Sequence, residues 1–181
     1  MPYIILDRDG VINYESVEYI KSPNEWIPIP GSLQAIAALN RAGFHIFIVT
    51  NQSGVGRGYY DLAMLDCIHE KLVSELAAHG GMVDEIFFCP HHPEDKCTCR
   101  KPEPGLIYQL QAKYNVPLAE TYFIGDSVAD IKAAQRAGCR PILVLTGNGK
   151  NTLNAHPEFL SIPRFVDLSE AANALLSSFL S

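Results

Sequence analysis

The chain has no apolar run near the ~20 residues that a membrane-spanning helix needs; its best, at 44–49 and 141–145, have the length of strands. It also has no basic leader ahead of an apolar stretch. Charge begins at Asp7, so no secretory signal is expected and a cytoplasmic location is. Positive charge is scarce, with 14 Lys and Arg against 20 Asp and Glu and a formal net charge of -6. That balance argues against a nucleic-acid or membrane partner. It leaves room for a small anionic substrate, because a few local cations or a metal can reverse the field in one cleft. A Walker A loop, a Gly-x-Gly-x-x-Gly turn and a Cys-x-x-Cys pair are all missing.

What is present fits one folded unit. The 181 residues are 48% hydrophobic and 19% charged, which supports a packed core and a single domain over 1–181. No dedicated dimerisation helix stands out, so a monomer is expected. Short apolar runs alternate with helical patterns, the signature of a βαβ series and hence of an α/β fold with a parallel sheet. Strands are predicted at 3–6, 45–49, 85–88, 121–124, 141–145 and 164–166. Helices are predicted at 32–42, capped by Ser32 and stopped at Gly43, and at 61–79, 105–114, 128–137 and 169–179. Residues 11–31, with Pro23, Pro28 and Pro30, read as an irregular flap, and 89–104 as a loop.

In an open α/β sheet the ligand lies beyond the carboxyl ends of the strands. Asp7 and Asp9 follow the first strand and, two residues apart in extended chain, can face one cleft. Such a pair suits one carboxylate as nucleophile or metal ligand and the other as general acid and base. Thr50, Asn51, Gln52 and Ser53 follow the second strand, with Arg57 in the glycine-rich turn beyond; these donors can hold phosphate oxygens. Arg100 and Lys101, stiffened by neighbouring prolines, suit an anion site. Asp126 ends the fourth strand as a Mg²⁺ ligand, and Asp130, a turn later, supports the local loop.

Five cysteines is an odd count, and three crowd into 89–99. Cys89, His91, Cys97 and Cys99 supply a tetrahedral donor set for structural Zn²⁺ in a loop spanning 89–101. His92 stands outside this set. Cys67 and Cys139 read as small core residues, and His45, His69, His79 and His156 receive no role.

Taken together, Asp7-x-Asp9-Gly10-Val11, Thr50, Lys101 and Gly125-Asp126-x-x-x-Asp130 resemble the haloacid dehalogenase-like superfamily of phosphotransferases. The resemblance implies a Rossmann-like three-layer α/β/α fold with a mostly parallel sheet. It implies Asp7 as nucleophile forming an aspartyl-phosphate and Asp9 as general acid and base. It places Thr50 and Lys101 on the phosphoryl group, and Asp7, the Asp9 backbone carbonyl and Asp126 on Mg²⁺. No separate cap domain fits between the motifs. Closure over substrate then falls to residues 13–22 and the zinc loop.

The runs Cys89-Pro90-His91-His92-Pro93, Cys97-x-Cys99-Arg100-Lys101-Pro102, Thr50-Asn51-Gln52-Ser53-Gly54 and Thr146-Gly147-Asn148-Gly149 are similar to the heptose-bisphosphate 7-phosphatase family within it. That implies a phosphosugar substrate, and Arg57 with Arg100 is the candidate basic site for its distal C1 phosphate. The α or β anomer stays open, since only five residues separate the zinc pairs and Ser127 replaces a lysine found in some members. A histidinol-phosphate phosphatase is the alternative substrate reading. A non-catalytic phosphate-binding module is disfavoured by the intact Asp7, Asp9, Lys101 and Asp126 set.

Overall fold

The computed structural model describes residues 2–179. Six strands form one sheet: β1 (Tyr3–Leu6), β2 (His45–Asn51), β3 (Glu85–Cys89), β4 (Tyr122–Gly125), β5 (Arg140–Val144) and β6 (Arg164–Phe165). Their order is β3-β2-β1-β4-β5-β6, and every pairing is parallel. The first strand is therefore central, and its carboxyl end lies where the chain switches from building one half of the sheet to the other. That switch point is where such folds bind ligands.

Helices cover both faces. Ile4 and Leu6 of β1 point to one face, against α1 (Ser32–Arg41), α2 (Leu62–Ala78) and α6 (Leu168–Phe179). Ile5 points to the other, against α3 (Gly105–Tyr114) and α4 (Val128–Ala137). Strict alternation in β1 with apolar residues throughout is what a strand buried on both faces demands. Apolar runs mark the strands well for the same reason.

Some local readings shift. Asp61 caps α2, its carboxylate accepting from the Met64 amide at 2.8 Å. Ser32 is the first helical residue rather than the cap of α1; its hydroxyl donates to the Ile12 carbonyl at 2.7 Å, pinning the turn after β1. Along α2 the core takes Leu65, Ile68, Leu72 and Leu76, while Leu62 and Val73 face solvent. Cys67 is exposed rather than buried, because it falls between Leu65 and Ile68 on the outer side of that stripe; Cys139 is buried as expected. A further helix, α5 (Gly149–Ala155), follows the Thr146-Gly147-Asn148 turn, where no helix was predicted. Seven residues with little apolar periodicity give no sequence signal.

The proline-rich segment is anchored at its base. Trp26 is fully buried, Lys71 of α2 donates to the carbonyls of Pro23 (2.8 Å) and Trp26 (3.1 Å), and Asn13 bridges to Pro28. Its tip projects, with Val17 almost fully exposed. Among the described residues no second domain is inserted, and the cleft is open.

Candidate active site

Four strand ends converge on a cleft of about 350 Å³. Asp7 leaves β1 with its amide still bonded to the Ile124 carbonyl of β4 at 3.0 Å, so the sheet itself aims the residue. Its Oδ1 accepts from the Lys101 ammonium at 2.8 Å. The same ammonium donates to the Val49 carbonyl (2.8 Å) and to Asp130 Oδ1 (2.6 Å). Burial alone would push this lysine's pKa down, but the Asp130 and Asp7 carboxylates outweigh it and hold the pKa above the usual lysine range.

Lys101 is placed by Asn51. The Asn51 side chain donates to the Lys101 carbonyl and accepts from its amide, each at 3.0 Å. Both ends of that amide are thus occupied in bracing the lysine's backbone against β2. Thr50, Asn51, Gln52 and Ser53 line the cleft as their position suggests, together with Arg100. One Arg100 nitrogen, Nη1, is buried without a hydrogen-bond partner. Arg57 is not part of the lining; it lies over the Tyr19 ring, 5.9 Å from the centroid.

Asp126 directly follows β4, and its Oδ2 accepts from the Asn148 amide at 2.7 Å. Gly10 and Gly147 pack against this carboxylate so closely that a Cβ on either would overlap it, and both have positive φ. Asp130 is spent on structure. Its Oδ2 accepts from the Asp126 and Ser127 amides and from the Ser127 hydroxyl, closing a capping box on α4.

Asp9 is held differently. Its Oδ1 accepts from Arg8 Nε (2.9 Å) and Asn13 Nδ2 (2.8 Å), and its Oδ2 from Arg8 Nη2 (3.1 Å) and Gln52 Nε2 (2.9 Å). Burial would raise the Asp9 pKa, but Arg8, Asn13 and Gln52 together keep it below the ordinary value.

The carboxylates of Asp7, Asp126 and Asp130 can each offer an oxygen within 4.8 Å of the others. Against them stands the Lys101 ammonium, so full ionisation leaves two negative charges (three minus one) in a buried site. Burial, with Asp130 next, raises Asp7 to a pKa of about 7 despite Lys101. Burial, then Asp130 and Asp7, raises Asp126 to about 9. An excess of two charges on hard oxygen donors fits a divalent cation such as Mg²⁺.

A sign follows for stability. Between the ordinary carboxylate value of 3.8 and these raised values, the folded state holds protons that the unfolded chain has lost. Magnesium-free protein is therefore expected to lose stability as pH rises through that window. Mg²⁺ binds the ionised form, so it should raise the melting temperature more at about pH 9 than at about pH 5. Thermal melts of wild type and Asp126→Asn check this; a slope unchanged in the variant would contradict it.

At the edge of the cleft, the Sγ atoms of Cys89, Cys97 and Cys99 lie 3.1–3.5 Å apart, and His91 Nδ1 is 3.5 Å from Cys89 and 3.1 Å from Cys99. A tetrahedron with Zn–S bonds of about 2.3 Å has edges of roughly 3.7 Å, so the four atoms are compatible with zinc. His92 caps the Pro93–Asp95 turn instead.

Glu15, Ser16 and Tyr19 of the lining fall in the 13–22 segment expected to close over substrate, though the sequence singles out none of them, and it gives Asn148 no role. Asn148 sits in the quoted Thr146–Gly149 run, but the flap residues carry no pattern. The Asn148 side chain donates to the Glu15 carboxylate, tying the flap to the loop after β5.

Strand-end carboxylates around a buried lysine on this topology make the chain a hydrolase of the HAD-like class, and a family model described as HAD-hydrolase-like matches residues 98–171. The comparisons go further. D-glycero-beta-D-manno-heptose-1,7-bisphosphate 7-phosphatase of Pseudomonas aeruginosa is 51% identical over 96% of this chain and 97% of its own length. The crystal structure of D,D-heptose 1,7-bisphosphate phosphatase from B. bronchiseptica, complexed with magnesium and phosphate, is 49% identical. It superposes with a TM-score of 0.96, covering 98% of this chain and 99% of that one. The enzyme of the same name from Burkholderia thailandensis is 39% identical, with a TM-score of 0.76 over 98% and 99%. The chain belongs to the heptose-1,7-bisphosphate 7-phosphatase family.

Proposed function

We propose that the chain removes the C7 phosphate of D-glycero-β-D-manno-heptose 1,7-bisphosphate through an aspartyl-phosphate on Asp7. The observation that carries this reading is a cation for each of two phosphates in one cleft: Lys101 on Asp7, and Arg100 in the lining. The name of the Pseudomonas aeruginosa relative, which specifies the β anomer, supports that choice.

Asp7 attacks phosphorus, and the bond from phosphorus to the C7 oxygen breaks. Asp9 gives its proton to that departing oxygen. It then takes a proton from the water that attacks the phospho-aspartate, releasing inorganic phosphate and restoring Asp7. All four lone-pair sites of the Asp9 carboxylate are occupied in this structure, so Asp9 must surrender a donor to carry the proton. Thr50 and Lys101 hold the equatorial oxygens. Asp7, Asp126 and the Asp9 carbonyl would hold Mg²⁺, whose charge, when bound, lets an anionic phosphate approach a carboxylate. Zinc on Cys89, His91, Cys97 and Cys99 would brace the loop carrying Arg100 and Lys101. We read the protein as a cytoplasmic monomer.

The test is phosphate release with Mg²⁺ from both heptose bisphosphate anomers and from histidinol phosphate. The β anomer is expected to lead. Histidinol phosphate presents a cationic amine where Arg100 stands and should be the poorer substrate. Arg100→Ala should raise KM for the bisphosphate about 10–100-fold, the worth of one charge-assisted hydrogen bond, and leave heptose 7-phosphate nearly unaffected. An equal loss on both substrates would remove Arg100 from the distal phosphate.

A further inference from the structure

The cleft rests on a buried polar network, of which Arg8, His69 and Tyr60 have no part in the steps above. Arg8 is fully buried, an uncommon place for a guanidinium, which must then find acceptors for its rigid fork of donors. Its Nε and Nη2 grip Asp9, and Nη2 also donates to Gln52 Oε1 at 3.0 Å. Its remaining arm, Nη1, lies 3.2 Å from Nε2 of His69.

His69 comes from α2, on the core-facing stripe with Leu65, Ile68, Leu72 and Leu76, and packs 5.7 Å from the Phe88 ring. An apolar residue would fill this position by pattern alone. Burial, reinforced by Arg8, lowers the His69 pKa to about 3, so the imidazole is neutral and Nε2 is an acceptor.

Gln52 ties the network to the phosphate site. Its Oε1 accepts from Arg8 and from the Tyr60 hydroxyl (2.8 Å), which leaves Nε2 to donate to Asp9 (2.9 Å) and to Thr50 Oγ1 (3.0 Å). Fixing the guanidinium therefore fixes the carboxylate of Asp9 relative to the hydroxyl of Thr50.

We infer that His69 is a positioning residue for the general acid: it anchors Arg8, and Arg8 sets the direction of the Asp9 carboxylate. The inference rests on the proposed role of Asp9. Without the acceptor, Nη1 is left buried and unpaired, and the guanidinium turns to seek another partner, so that Asp9 loses the two Arg8 bonds that hold its direction when the Asn13 or Gln52 donor is given up for the proton.

A leaving group that needs a proton separates this role from simple packing. The heptose C7 alkoxide depends on the acid, whereas p-nitrophenolate departs without one. kcat/KM reports the steps up to phosphoryl transfer to Asp7 and is measured on both substrates. His69→Phe keeps ring volume and removes the acceptor. It is expected to lower kcat/KM on heptose bisphosphate about 10–100-fold, part of the ~10²–10⁴ that general acid catalysis supplies, and to leave p-nitrophenyl phosphate within about threefold. His69→Gln restores an acceptor and should recover most of the loss. Asp9→Asn is the benchmark and should show the same split in stronger form. A split in Asp9→Asn with equal losses on both substrates in both His69 variants overturns the role of His69. No split in Asp9→Asn overturns Asp9 as the acid, and the inference with it.

Discussion

Asp7→Asn is expected to abolish phosphate release, by roughly four to six orders of magnitude, the scale on which losing a covalent nucleophile acts. An amide oxygen can still accept from Lys101, so the buried ammonium keeps its contacts with Val49, Asp130 and position 7. The fold should therefore survive. It should even gain stability without magnesium at neutral pH and above, because one of three crowded carboxylates has lost its charge. Phosphate release and thermal melts on the same preparation test both halves. Activity near the wild-type rate would mean that the nucleophile is another group.

Stripping zinc, or replacing Cys99 by Ser, should cost activity at least about 100-fold, the penalty of displacing a catalytic group by about an ångström. Cys99 lies two residues before Lys101, and the lysine reaches Asp7 only while its backbone stays docked on Asn51. The loop is otherwise held by few bonds, among them Gln52 N to the Cys89 carbonyl and Gly56 N to that of Pro90, each at 2.8 Å. The two large apolar clusters flanking the sheet draw mainly on strands and helices outside the loop. Circular dichroism of helices and strands should thus change little while activity disappears. The measurement pairs metal analysis with phosphate release after magnesium is restored. Full activity in protein shown to be zinc-free would end the bracing role.

The strands were legible because each is buried on both faces, and burial on both faces forces an unbroken apolar run that polar loops punctuate. The strand-end residues were legible for the complementary reason. Asp7, Thr50 and Asp126 are polar side chains directly abutting such runs, and the topology brings those ends together. Asn51 was read as a substrate donor; it does line the cleft, and its side chain also braces Lys101. Both uses need the same amide in the same turn, and only coordinates show where its two ends go. His69 and Arg8 were silent because a partner 61 residues away leaves no local trace. A helix stripe with one imidazole reads as core, and a charge between two aspartates reads as solvated. Glu15 and Tyr19 reach the cleft from irregular backbone, for which no periodicity exists.

The position of β1 in the middle of the sheet has a consequence for biosynthesis. The strand that carries Asp7 is made before the other five, but its neighbours are β2 and β4, and β4 ends only at Gly125. Until then one flank of an entirely apolar strand has no partner, and Asp7 has no Lys101 and no Asp126 beside it. Parallel pairings between such distant segments form slowly and leave open edges exposed to other nascent chains. Enzymatic competence therefore cannot precede the pairing of β1 with both of its neighbours, and its first appearance marks the joining of the two halves of the sheet at Asp7.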